Sequence, residues 1–140
     1  MADLSTLIRL HKHELDEKRL ALAGLYTQMA ALERQRRDLE FSFEREKEEA
    51  AANTEDVHFT FVRYVDQINR QRKMMDEQKE FLEKKITAAK DNMMETFSEL
   101  KKYEMTQQER DRLAAEERAM KESHEMDAIG LEGFRRKSEE

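Results

Sequence analysis

The stretch LEFSFEREKEEAAANTEDVHFTFVRYV, residues 39–65, decides the fold. On its left, Leu39 and Phe43 close a seven-residue apolar repeat that begins near the N-terminus. On its right, Val57, Phe61 and Tyr64 open a second one. Between them the repeat fails over Ala50–Asp56, where Asn53 and Thr54 are the only residues suited to a turn or a helix N-cap. Glu55 and Asp56 then fall in a first helical turn, where the helix dipole favours negative charge. A tip at residues 53–55 is one reading. A single helix running straight through the alanines is the other, since Ala is the best helix former.

Working outward to the left, Ile8, Leu15, Leu22, Met29 and Phe43 share one heptad position, and Leu4, Leu25, Leu32 and Leu39 share the matching one. That spacing lets two helices hold a common seam. His11, Lys18, Arg36 and Glu46 interrupt it with polar groups. To the right the repeat continues through Ile68, Met75, Leu82, Ile86, Ala89, Met93, Phe97 and Leu100. The steps from Ala89 to Met93 to Phe97 are both of four residues, a stutter that locally unwinds a supercoil. With a tip at 53–55, facing residues have numbers adding to about 107, which places Phe43 beside Tyr64 and Arg36 beside Gln71.

These patterns predict an all-α chain: a long antiparallel two-helix coiled-coil hairpin whose C-terminal helix is the longer. The expected bounds are helix 1 over about 3–52, a turn over about 53–55, helix 2 over about 56–128 and a flexible tail over 129–140. The first helix runs out opposite roughly Tyr103, while the second continues with only Leu113, Met120 and a few alanines on its seam. Gly130 and Gly133 are the expected stop.

Composition agrees. The 140 residues include no Pro, no Cys, no Trp and three Gly, so little interrupts a helix. Charged residues reach 41%, well above the quarter or so of an ordinary globule, yet the apolar residues remain periodic. The net charge of −6 is spread over interleaved acids and bases, which argues against nucleic acid as a partner. The lack of Cys fits a reducing compartment. The N-terminus has no apolar core of a signal peptide, and the longest uncharged run, Leu20–Leu32, is too short to span a bilayer.

Chemistry-bearing motifs are scarce. The sequence holds no phosphate-binding glycine loop, no HExxH and no cysteine nucleophile, so it reads as a non-enzyme that requires no cofactor and no metal. His13 and Glu17 stand four apart, a spacing open to weak metal binding or, more plainly, to an exposed ion pair. Arg34, Arg36 and Arg37 lie opposite Arg70, Arg72 and Lys73, giving a basic collar that is either a dock for an acidic surface or a solvated girdle. Phe41, Phe43, Phe59, Phe61 and Tyr64 crowd one end of the seam. Phe41 and Phe59 miss the heptad positions and are expected to be exposed as interface anchors, or to wrap across the seam. The small residues around Gly24 either admit another helix or simply favour helix formation.

Several stretches resemble one family. Leu7-Ile8-Arg9-Leu10-His11-Lys12 followed by Asp16-Glu17-Lys18-Arg19-Leu20-Ala21 is similar to the start of the bacterial flagellar export protein FliJ family. So are Ala31-Leu32-Glu33 with Leu39-Glu40, and, at the far end, Glu125-Met126-Asp127-Ala128-Ile129 with Phe134-Arg135-Arg136-Lys137. The resemblance spans nearly the whole chain and rests on the order of these motifs.

The resemblance implies a cytoplasmic stalk and adaptor of the flagellar type III export apparatus, peripheral at the inner-membrane base of the flagellum and serving motility. Its partners would be the flagellar export ATPase hexamer, the cytoplasmic domain of the export gate membrane protein, and export chaperones. Leu39, Phe43, Phe61, Tyr64 and Ile68 then correspond to gate-contacting positions, and Leu4, Ile8, Leu113 and Met120 to the ends inserted in the ATPase ring. The same architecture serves virulence type III secretion systems, and a general coiled-coil scaffold is a further alternative.

Overall fold

A computed structural model describes residues 3–52 and 56–139, with side chains from 59 onward in the second segment. They form two α-helices, α1 (Ser5–Ala52) and α2 (Asp56–Glu139), and no strand among the described residues. The expected turn at 53–55, with Asn53 and Thr54, lies outside the described residues.

The start of α1 is capped by Asp3. Its carboxylate accepts from the Ser5 N–H at 3.1 Å and from the Ser5 hydroxyl at 2.9 Å, satisfying a donor that the first helical turn leaves without a partner. The end of α2 corrects the sequence reading: the helix passes through Gly130 and Gly133 and stops only at Glu139. Neither glycine has the left-handed backbone that a C-cap requires, so each acts as an ordinary weak helical residue. Arg136 pairs with Glu132 one turn back at 3.4 Å, and Arg136 and Lys137 occupy the last turn, where the dipole favours them.

The chain divides into two compact units. One is Glu14–Thr96; the other combines Met1–His13 with Phe97–Glu140. In Glu14–Thr96, contacts pair descending positions on α1 with ascending ones on α2, an antiparallel order. Phe43 lies against Tyr64, Glu40 against Arg72, Arg36 against Asp76, and Lys18 against Thr96. The buried residues are Leu15, Leu22, Leu32, Ile68 and Ile86, with Thr96 as the one buried polar residue among those described. In the second unit the same order holds, with Leu4 against Gln107 and His11 against Glu99 and Tyr103. Leu100 is its buried residue.

The α1 heptad positions read from sequence, from Leu4 to Phe43, are all buried or half-buried, and so are the interrupting His11, Lys18 and Arg36. Glu46 is exposed. Along Glu14–Thr96 the pairing drifts. Phe43 and Tyr64 add to 107 as expected, whereas Lys18 and Thr96 add to 114. Glu40 with Arg72 and Arg36 with Asp76 already add to 112, so the larger sums belong to pairs in which long Lys and Arg stems reach along the neighbouring helix. Gly24 has only open space around its missing side chain.

Beyond Gln107, α2 has no α1 residue opposite it, and every residue from 108 to 139 is exposed. At about 1.5 Å per residue this segment extends on the order of 50 Å.

Candidate partner-binding surfaces

At the aromatic end of Glu14–Thr96, Phe43, Phe61 and Tyr64 form a triangle with ring centroids 6.3–6.4 Å apart. All three are half-buried, and each fills a seam position that its heptad spacing dictates. Arg72 caps the triangle, its guanidinium 4.5 Å from the Phe43 ring centroid. The same guanidinium donates two hydrogen bonds to Glu40, at 2.8 and 2.7 Å. Arg36 adds a third at 3.2 Å, donates to Asp76 at 2.8 Å, and reaches the Arg72 carbonyl at 3.2 Å. The hydrogen bonds from Arg72 hold the Glu40 carboxyl below its ordinary range against the opposing effect of burial, helped by the positive charges of Arg72 and Arg36. Glu40 in turn raises the Arg72 guanidinium.

This network divides the basic collar. Arg36 and Arg72 are half-buried and neutralised between the helices, so they serve the fold. Arg34, Arg37, Arg70 and Lys73 are exposed and remain available to a partner, with Arg70 also donating to the Asp66 carbonyl at 3.4 Å. Arg36 meets Arg72 and Asp76 where sequence register placed Gln71. Glu40 was absent from the sequence-derived site. The signal for it was an acid on α1 and a base on α2 flanking the seam at facing positions, the usual place for an interhelical pair.

The residues matched to gate contacts are placed unequally. Ile68 is 3% exposed, so no partner reaches it in this conformation. Leu39, Phe43, Phe61 and Tyr64 present only their edges. Within this aromatic cluster Phe41 and Phe59, 68% and 72% exposed, stand free of the seam, with Arg63 lying over the Phe59 ring at 5.9 Å. A helical turn of 3.6 residues explains this: Phe41 falls between Leu39 and Phe43 in number, hence on the opposite face of α1.

Among the ring-end residues, Leu4 and Ile8 are half-buried, and the Leu4 N–H donates to the Gln107 side chain at 3.1 Å. His11 sits on the same unit's seam with its ring 4.9 Å from Tyr103, Nδ1 2.8 Å from the Leu7 carbonyl and Nε2 3.5 Å from Glu99. Leu113 and Met120 are exposed on the unaccompanied part of α2, with Met126, Ile129, Leu131 and Phe134 beyond them. Of these, Leu113, Met120, Leu131 and Phe134 fall on one stripe at heptad spacing, broken by Glu117, His124 and Asp127.

The groove between the helices near the collar holds about 400 Å³, lined by Leu32, Arg36, Met75 and Asp76 among others. Among the described residues no group of three His, Asp or Glu is arranged to hold a metal ion, and no helix is long and apolar enough to cross a membrane. No family model, no curated protein and no solved structure matches this chain.

Proposed function

We propose that the two helices form an antiparallel coiled-coil hairpin acting as a non-enzymatic stalk and adaptor of the flagellar type III export apparatus. In this reading it works in the cytoplasm, at the inner-membrane base of the flagellum. The unaccompanied part of α2 and the start of α1 insert into the export ATPase ring, and the aromatic end meets the cytoplasmic domain of the export gate. Export chaperones bind the exposed surface. The chain catalyses no reaction; it couples or regulates an ATPase.

The observation that carries the reading is the inequality of the two helices. Residues 108–139 form a helix with every side chain exposed and no α1 beside it. An isolated polar helix is marginal in water, so a segment of this kind gains its order from a surrounding partner. Its apolar residues face several directions: Leu113, Met120 and Leu131 one way, Met126 and Ile129 another. A partner that encloses the helix, as a ring does, covers more of these than a single flat surface. The motif resemblance supplies the identity of that ring.

The test mixes the purified chain with the flagellar export ATPase and measures hydrolysis and hexamer formation. Stimulation is expected, and it should vanish when residues 108–140 are deleted while the paired helices remain folded. A folded chain that neither binds nor stimulates the ATPase would redirect the assignment to a virulence secretion ATPase, tested in the same assay, or to a scaffold.

A further inference from the structure

The unaccompanied part of α2 carries a seam of its own. Within the unit formed by Met1–His13 and Phe97–Glu140, Leu4 lies against Gln107, and from 108 to 139 every residue is exposed. On one face of this segment Leu113, Met120, Asp127 and Phe134 hold one heptad position, and Glu117, His124 and Leu131 hold the next. That face begins where α1 leaves off. Asp3, the cap of α1, and Leu113, Ala114 and Glu117 of α2 help to line a groove of about 320 Å³.

We propose that this face docks on the same face of a second copy: two chains associate tail to tail, antiparallel, through residues 112–139 of each. In the register where facing residues have numbers adding to 251, Met120 meets Leu131 and His124 meets Asp127. Phe134 of the second copy meets Glu117 with Leu113 and Met120 on either side of it, at the groove beside Asp3. A thioether next to an aromatic ring is a favourable contact. Glu116 meets Arg135, and Arg112 meets Glu139. Every other facing pair from 112 to 139 contains at most one charged residue. The like-charged meeting of Asp111 with Glu140 falls at the last residue of the chain. Two-fold symmetry makes each of these contacts twice.

Neighbouring arrangements fail on charge. At a sum of 244, Glu117 faces Asp127 and Glu122 faces its own counterpart; at 258, Lys121 faces Lys137. A parallel pairing in register sets Glu117 on Glu117 and Asp127 on Asp127 inside the seam. Such charge matches set partner and orientation along helical seams. Length selects the same register. At 251 the second copy's Glu139 reaches Arg112, about five residues, or roughly 8 Å, short of Gln107, where Leu4 is seated. At 244 Lys137 would fall opposite Gln107 itself, and at 258 Leu113 has no residue opposite it. The second copy thus covers the length of α2 that α1 leaves bare. This association does not depend on the stalk reading, and any partner that takes residues 113–134 competes with it.

Sedimentation equilibrium of the full-length chain across a concentration series tests the proposal, and a concentration-dependent dimer is expected. Glu116→Arg and Arg135→Glu should each raise the dimer dissociation constant about tenfold, since each places two like-charged meetings in the interface. The double variant Glu116→Arg/Arg135→Glu restores opposite charge and should recover the parent value. Both residues are exposed, so helix content by circular dichroism stays at the parent level and reports folding independently. The chain has no cysteine, which allows the register to be read by cross-linking. Under mild oxidation, Met120→Cys and Leu131→Cys chains should form a disulfide when mixed, one of each, and far less when either is alone. A monomer at every concentration overturns the proposal. So does a dimer that the single reversals leave untouched or the double variant fails to rescue, or one in which Met120→Cys cross-links to itself as well as to Leu131→Cys.

Discussion

Replacing Glu40 with Gln removes a charge while keeping the shape of the side chain, and it isolates the network that joins the helices beside Phe43. Glu40 accepts two hydrogen bonds from Arg72 at 2.8 and 2.7 Å and one from Arg36 at 3.2 Å. Exposed ion pairs contribute about 0.2–1 kcal/mol. The side chains of Arg72 and Glu40 are 25% and 40% exposed, so solvent screening keeps this pair near the upper end of that range. The variant also leaves two guanidiniums facing each other without their shared anion. A loss of about 1.5 kcal/mol at neutral pH is expected, of which about 1 kcal/mol is coupling to Arg72. Chemical denaturation followed by circular dichroism on the parent, Glu40→Gln, Arg72→Met and the double variant measures that coupling.

The pH dependence has a definite sign. The folded protein holds the Glu40 carboxyl below its ordinary value, so its stabilisation is fully present above the unfolded pKa, about 4.3. That stabilisation is lost as pH falls through the depressed folded value. The cost of Glu40→Gln should therefore shrink as pH falls through the depressed folded value, below which the parent carries a neutral acid at the same place. A cost unchanged between neutral and acidic pH, or a double-variant cycle with no coupling, would refute the reasoning.

Further predictions concern separate parts of the chain. Ile68→Ala should destabilise by about 2–4 kcal/mol in the same denaturation assay, because the residue is buried and a two-helix seam has few side chains to refill the void. Phe41→Ala and Phe59→Ala should shift stability by less than about 0.5 kcal/mol, since both rings are exposed. On the stalk reading proposed above, the pair should nonetheless weaken binding to an export gate's cytoplasmic domain, measured by titration calorimetry; full-strength binding would remove these rings from the interface. Gly130→Ala and Gly133→Ala each meet open space, and should each favour helix by about 1 kcal/mol, seen as slower amide exchange across 126–139. Faster exchange there would mean that the glycines cap a shorter helix.

The sequence alone determined the helical character of this chain and which faces of the helices would be covered. Heptad spacing is a property of one helix, so it is legible without knowing the partner: Leu15, Leu22, Leu32, Ile68, Ile86 and Leu100 are seam positions in sequence and buried residues in structure. The exposure of Phe41 and Phe59 followed from the same angular argument. What spacing does not encode is the fine register between helices, because long polar side chains tolerate shifts of several residues. Only the tertiary structure decided that Arg36 and Arg72 are consumed by Glu40 and Asp76 while Arg34, Arg37 and Lys73 stay exposed. Only it buried Thr96, whose hydroxyl bonds Lys18 and the Asn92 carbonyl, beside a Phe97 that sequence had assigned to the seam. The end of α2 belongs to the same class. Glycine is a permissive residue, and whether it stops a helix or continues one is set by the backbone conformation it adopts there.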